Sequence, residues 1–288
     1  MALRVVGSVP SPELADVLAA WRLWQAAGNL SERTIAERAG VMTKVCAFTG
    51  CPPLEVTPAA IISYLTRPGL SDCTRATYHA SIRAYCTWLC RTGQRADDPS
   101  LATPTPKRPK GVPRPVEQAR VAATLAAVSG RRAHKRKATM MILLAAYAGL
   151  RIHEIAKVKF SDFDLGAGYL YVTGKGSKPA ALPLHPAIVE ALQAFPQRDG
   201  YLFPSYTHPG QPIIPRAVAQ TLKRAMAAAG FDASAHQLRH TFGTALVRSG
   251  VDLRTTQTLM RHESLATTAI YIEVTDETRQ SAVRGLAY

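Results

Sequence analysis

Six prolines stand at positions 99, 104, 106, 109, 113 and 115, with Lys107, Arg108, Lys110 and Arg114 set among them. Proline fixes φ and removes a backbone donor, so neither a helix nor a central strand can run through such a segment. It reads as a semi-rigid, extended strap. The chain is therefore expected to fold as two bodies, residues 1–99 and 116–288, joined by a proline-rich basic linker over 100–115. With 288 residues, 47% of them hydrophobic, there is enough chain for each body to bury its own core.

The formal charge of +15 is unevenly spread. Residues 1–99 carry 10 Lys or Arg against 8 Asp or Glu, the linker adds four cations and no acid, and residues 116–288 carry 21 against 12. Clustered cations favour a polyanionic partner, because phosphates reward them through counterion release. An acidic membrane surface is the rival, but the sequence has no long apolar span and no lipidation signal. The five cysteines, Cys46, Cys51, Cys73, Cys86 and Cys90, are odd in number and follow no secretory signal, so a reduced, intracellular protein is expected. Cys86 and Cys90 can share a helix face, yet neither a histidine nor a second cysteine pair lies nearby to complete a zinc site. They read as small core residues.

Before the strap, hydrophobic spacing predicts a bundle of four helices. Leu14, Val17, Leu18, Trp21 and Trp24 mark the first, over 12–27. Ser31 caps a second reaching about Phe48, with Ile35, Val41, Val45 and Phe48 inward. Thr57-Pro58 opens a short third helix to about Leu65. Ser71 or Asp72 caps the fourth, striped by Tyr78, Ile82, Tyr85 and Leu89. After the strap, helices are expected over 117–128 and 137–148, with Arg131, Arg132, Lys135, Arg136 and Lys137 crowding the turn between them as a phosphate patch. Strands at 158–164 and 169–173, the Gly174–Lys178 turn and Ala181–Leu184 form a small antiparallel sheet. Helices follow over 186–194, 215–229, 236–248, 252–260, 264–271 and 276–285.

Chemistry-bearing side chains concentrate in the second body. Arg151 ends the apolar run Met141–Leu150; its planar fork suits two phosphate oxygens, while Glu154 three residues on could satisfy it internally. His236 and Arg239 leave one helix face. Lys175 lies at the tip of a glycine-bounded turn, where a lysine is ordinarily just solvated but can serve as a mobile general acid; Lys178 competes for that role. A lone tyrosine such as Tyr271 more often packs than reacts. Its phenol, with an ordinary pKa of about 10, needs a base or cationic neighbours to attack. Arg151, Arg239 and His262 would supply them. No carboxylate cluster for a metal lies among these residues, and no cofactor is expected.

The ordered set Gly149-Leu150-Arg151-Ile152-His153-Glu154-Ile155, Gly174-Lys175-Gly176-Ser177-Lys178, His236-Gln237-Leu238-Arg239-His240-Thr241-Phe242, Met260-Arg261-His262-Glu263-Ser264 and Thr267-Thr268-Ala269-Ile270-Tyr271 resembles the tyrosine recombinases, or phage integrase family. The resemblance implies a mainly α fold with a small antiparallel sheet, a helical core-binding bundle followed by a catalytic DNA breaking-rejoining domain. It implies Arg151, Lys175, His236, Arg239 and His262 as catalytic groups and Tyr271 as the nucleophile, with Glu154 and His240 in support. Arg261 departs from the pattern, since a glycine usually precedes the late histidine; there it is expected to alter the turn or add a phosphate contact. No room is left for an additional arm-site-binding domain, which favours a simple integrase or a Xer-like resolvase. Partners implied are double-stranded DNA core sites, further copies assembling to a tetramer on DNA through a C-terminal exchange tail, and, where the system needs one, a directionality factor. The setting implied is the cytoplasm of a bacterial host, on DNA. A topoisomerase IB-like enzyme and a non-catalytic sequence-specific DNA-binding protein are the alternatives.

Overall fold

The computed structural model describes residues 12–109, 115–173, 179–196, 199–262 and residue 268. Its chain divides into two compact units, Met1–Gly111 and Val112–Tyr288.

The first unit holds four helices, α1 (Pro12–Ala27), α2 (Glu32–Thr49), α3 (Pro58–Thr66) and α4 (Asp72–Arg91), with 3₁₀ turns at Pro53–Glu55 and Pro99–Ala102. Their starts follow from local chemistry. Ser31, Thr57 and Ser71 sit in extended backbone and accept the N–H groups of Thr34, Ala60 and Thr74, each satisfying a donor that the first turn leaves open. Gly50, at φ 70°, closes α2. The core forms around Trp21, Met42, Ile61, Ile82, Tyr85 and Leu89. Trp21 meets Tyr85 edge-on at 5.0 Å between ring centres and lies 6.2 Å from Trp88. Tyr85 donates its hydroxyl to the Pro53 carbonyl at 3.1 Å, so the buried phenol keeps a partner. Two residues expected inside are largely exposed: Trp24 (42%) and Phe48 (51%). Both lie at the margins of their stripes, and the Phe48 ring meets Tyr64 edge-on at 5.7 Å and the Arg67 guanidinium at 5.9 Å.

In the second unit α5 (Gln118–Ala127), α6 (Arg132–Tyr147) and α7 (Ile152–Lys157) precede β1 (Phe163–Asp164), β2 (Tyr169–Thr173) and β3 (Pro179–Pro183). Then come α8 (Pro186–Gln193), α9 (Pro215–Ala228), α10 (Ala235–Arg248) and α11 (Leu253–Met260). The sheet is antiparallel in the order β1-β2-β3, with Leu170 opposite Leu182 and Val172 opposite Ala180. Leu170, Val172 and Leu182 face the core while Tyr169 and Tyr171 face out, the period-two alternation of a one-sided sheet. Helix α6 is the spine: Met140–Ala146 are all buried, and α5, α7, α8, α9 and α10 pack against it.

Three expectations are corrected. Helix α6 begins at Arg132 rather than 137, because Arg, Lys and Ala are good helix formers and extend the apolar segment backwards; Arg132, Lys135, Arg136 and Lys137 lie within the helix and Arg131 at its N-cap, not in a turn. The strand expected over 158–164 shrinks to Phe163–Asp164, since Asp162 Oδ2 accepts from the Lys159 N–H at 2.8 Å and closes a 3₁₀ turn. Helix α7 was not expected at all. The Gly174–Lys178 turn and the helices expected at 264–271 and 276–285 lie outside the described residues, Thr268 apart.

Candidate active site

The site grows from the end of α6. Gly149 turns the chain with φ at 58°, and a Cβ there would lie 2.9 Å from Cε1 of Phe242 on α10 and closer still to Cδ1. Only glycine combines that backbone with so close an approach. Two residues later Arg151 caps α7, and Glu154, three positions on, accepts the Arg151 backbone N–H at 2.7 Å. The capping bond pins a carboxylate whose side chain is wholly buried.

Around that carboxylate stand three guanidiniums from three elements. Arg151 Nη1 donates to Glu154 Oε1 at 3.1 Å, Arg261 Nη2 donates to Oε2 at 2.7 Å, and Arg239 Nη1 lies 4.0 Å from Oε2. Arg239, on α10 and 1% exposed, also donates to the carbonyls of Gly149 and Met260. Arg151 Nη2 reaches the Arg261 carbonyl at 3.3 Å. Burial alone would raise the Glu154 carboxyl, but Arg261, the Arg151 N–H, Arg151 and Arg239 outweigh it and hold it below the usual carboxylate range. Three guanidiniums against one carboxylate leave the cluster cationic, an arrangement suited to a phosphate.

The imidazoles gather beside it. His236 and His240, one turn apart on α10, have ring centres 4.3 Å apart. His262 follows α11; its Nδ1 lies 3.0 Å from Thr268 Oγ1, and its backbone N–H and carbonyl both engage Gln257, at 3.1 and 3.0 Å. Burial first, then His236 and Arg239, pushes His240 down to about 4. Burial, then Arg239 and Arg151, does the same to His262, also to about 4. His236 is exposed, yet the protein crowding its ring, and then Arg239 and Arg151, lowers it too. All three are therefore neutral imidazoles at neutral pH.

Arg151, Glu154, His236, Arg239, His240 and His262 are thus neighbours in one site. Lys175 and Tyr271 lie outside the described residues, as do Lys110 and Arg114. Of the other cations expected at DNA, Lys107, Arg108, Arg131, Arg132 and Lys135 are exposed. Arg136 is half-buried over the Phe195 ring at 6.0 Å, and Lys137 donates to the Tyr206 hydroxyl at 2.9 Å. Arg261 points inward, its side chain 8% exposed, because Glu154 and the Gly149 carbonyl capture it. Sequence reasoning missed Gly149, whose carbonyl serves two arginines, and Gln257, which holds His262. The Gly-Leu-Arg spacing signals the first; nothing local signals the second.

Residues 116–278 match the phage integrase family. Tyrosine recombinase XerD of Caulobacter vibrioides is 36% identical over 224 residues, 73% of each chain, and XerD of Vibrio cholerae is 31% identical over 228, 75% of each. Among solved structures, an integrase from mycobacterium phage Brujita is 42% identical across 94% of this chain and 92% of its own, with a TM-score of 0.50. The XerH recombinase bound to its difH substrate shares the fold at a TM-score of 0.71 and 20% identity, over 94% and 83% of the two chains. The chain belongs to the phage integrase family, the tyrosine recombinases. It is a site-specific recombinase, an enzyme that cuts and rejoins DNA. Among the described residues no helix is long and apolar enough to cross a membrane.

Proposed function

We propose that strand cleavage proceeds through a covalent 3′-phosphotyrosyl link formed by Tyr271. The phenolate oxygen attacks the scissile phosphorus as the bond to the 5′ oxygen breaks. His236, neutral and therefore able to accept a proton, serves as the base; Lys175 protonates the leaving 5′ oxygen. Arg151, Arg239 and His262 hold the non-bridging oxygens, whose charge grows in the pentacoordinate transition state. His240 and Glu154 brace them. The phosphotyrosyl bond conserves the energy of the phosphodiester, so rejoining needs neither ATP nor a metal.

The observation that carries this reading is the convergence of Arg151 and Arg239 on one buried carboxylate, with His262 beside both guanidiniums. In the same reading residues 1–99 form a core-type DNA-binding domain, the basic linker over 100–115 follows a DNA backbone, and 116–288 is the catalytic domain. Four protomers assemble on two duplexes, coupled by the tail after Tyr271, and pass through a Holliday junction in the cytoplasm of a bacterial host. A directionality factor would act on that assembly. A Xer-like dimer resolvase is a second reading of the same chemistry, favoured by the likeness to tyrosine recombinase XerD.

The test is incubation with DNA flanking the protein's own gene, scoring covalent complexes and joined products with a metal chelator present. Wild type should form both, and Tyr271→Phe should bind without forming a covalent complex. Full cleavage by that variant, or an absolute need for Mg²⁺, refutes the mechanism. Joining of separate duplexes marks integration, whereas reaction restricted to repeats within one plasmid marks resolution.

A further inference from the structure

We propose that Arg261 is a positioning residue for cleavage: its buried guanidinium fixes Glu154, which orients Arg151, while its backbone carbonyl holds Arg151 from the other side. The inference rests on the reading of Arg151, Arg239 and His262 as phosphate-holding groups.

Arg261 occupies φ 52°, ψ 48°, the left-handed cap that ends α11. Glycine adopts that conformation freely and an L side chain does not, so an arginine there bears backbone strain. The strain is kept together with burial of a cation, which water would otherwise solvate. What the fold obtains is a set of contacts converging on the site. Nη2 donates to Glu154 Oε2 at 2.7 Å and to the Gly149 carbonyl at 3.2 Å, the same carbonyl that Arg239 uses. Nη1 donates to the Leu259 carbonyl at 3.3 Å. Nε is buried without a partner, so the guanidinium is held where its two end nitrogens need to be, at the expense of its third. The Arg261 carbonyl accepts from Arg151 Nη2 at 3.3 Å, and the next residue is His262. One residue thereby ties α11, the Gly149 turn and α7 together.

A residue that only folded the turn would not alter how the site titrates. Arg261 would. Glu154 faces Arg151 at the start of its own helix, Arg239 from α10 and Arg261 from the end of α11, with His153 adjacent in sequence. Removing Arg261 takes away the leading attraction on the carboxylate, so Glu154 should protonate at higher pH and the acid limb of cleavage should follow it.

The experiment uses full-length wild type, Arg261→Gly and Arg261→Lys on a nicked duplex carrying the joining site from DNA flanking the gene, trapping the covalent complex in a single turnover. Rate and duplex affinity are followed from about pH 3.5 to 9, with thermal unfolding as the folding control. Arg261→Gly should bind within about threefold of wild type, cleave about tenfold more slowly near neutral pH, and show an acid limb about one pH unit higher. Arg261→Lys, which keeps the charge but not the fork, should return the limb and part of the rate. If Arg261→Gly fails to fold, Arg261→Gln, neutral but still a donor, carries the same expectations. A wild-type rate with an unmoved limb overturns the proposal. So does a rate loss matched by lost binding, or a slow variant whose limb is unmoved and which lysine does not rescue. A wild type that forms no covalent complex refutes the cleavage reading itself instead.

Discussion

Replacing Gly149 by alanine perturbs the site without touching a charged group. Two costs can be separated. At φ 58° an L residue loses about 1–2 kcal/mol against glycine. The added Cβ, 2.9 Å from Phe242 Cε1 and 3.2 Å from Cγ, then forces the ring or the turn to shift, an overpacking cost of about 1–3 kcal/mol. The total should be roughly 2–5 kcal/mol, a large share of what a domain has to spare. The turn's carbonyl receives both Arg239 and Arg261, so the displacement also reaches the guanidiniums and cleavage should fall further than DNA affinity. Urea unfolding followed by circular dichroism measures the stability. A double-mutant cycle with Phe242→Ala separates the costs, because the steric part vanishes once the ring is gone: the pair should fall short of additivity by about 1–3 kcal/mol. A loss below about 0.5 kcal/mol, within the range of an ordinary surface change, would refute the reasoning, as would strict additivity.

Acid should weaken the second unit in two stages. His240 and His262, ordinarily near 6.5 and held at about 4, take up protons in the unfolded chain that the folded one refuses, so stability falls as pH drops from about 6.5 to about 4. Glu154, with its carboxyl lowered, contributes stability above its ordinary 4.5 that is lost as pH falls through the folded value. A melting temperature flat across that window would contradict both assignments. Thr241→Val should cost about 1–3 kcal/mol by leaving buried polar groups unmatched, since the hydroxyl accepts from the Val116 N–H at 2.9 Å and donates to its carbonyl at 2.8 Å. Hydrogen exchange at Val116 should accelerate in that variant, and an unchanged rate would place the amide's protection elsewhere.

What could be read beforehand was what is local. The caps Ser31, Thr57 and Ser71 act within one turn, so three helix starts were legible from the sequence. The mainly helical fold with its small sheet followed from periodicity. Helix α7 escaped because six residues are too few to display a period, and its cap is an arginine with a glutamate behind it rather than a serine or aspartate. Long-range capture was equally hidden. Arg261 turns inward to a carboxylate 107 positions away, and Lys137 bonds a tyrosine 69 positions away. The sign of a charge can be read from the sequence, but its direction depends on what the fold brings opposite. The cluster of Arg151, Arg239 and His262 was legible only as an ordered set of motifs, because no local rule joins residues so far apart.

The chain's three tryptophans, Trp21, Trp24 and Trp88, all belong to the first unit, two of them in its aromatic core. Indole emission therefore watches one half of the chain and is blind to the other. The Trp21–Tyr85–Trp88 contacts make that emission sensitive to loosening of the bundle, while the unit that bears Arg151 and Arg239 melts without an indole signal of its own. A tryptophan placed at exposed Tyr171 on the outer face of β2 would make the silent half visible. The two units could then be followed in one cuvette as separate spectroscopic events, and the order in which they come apart could be read directly.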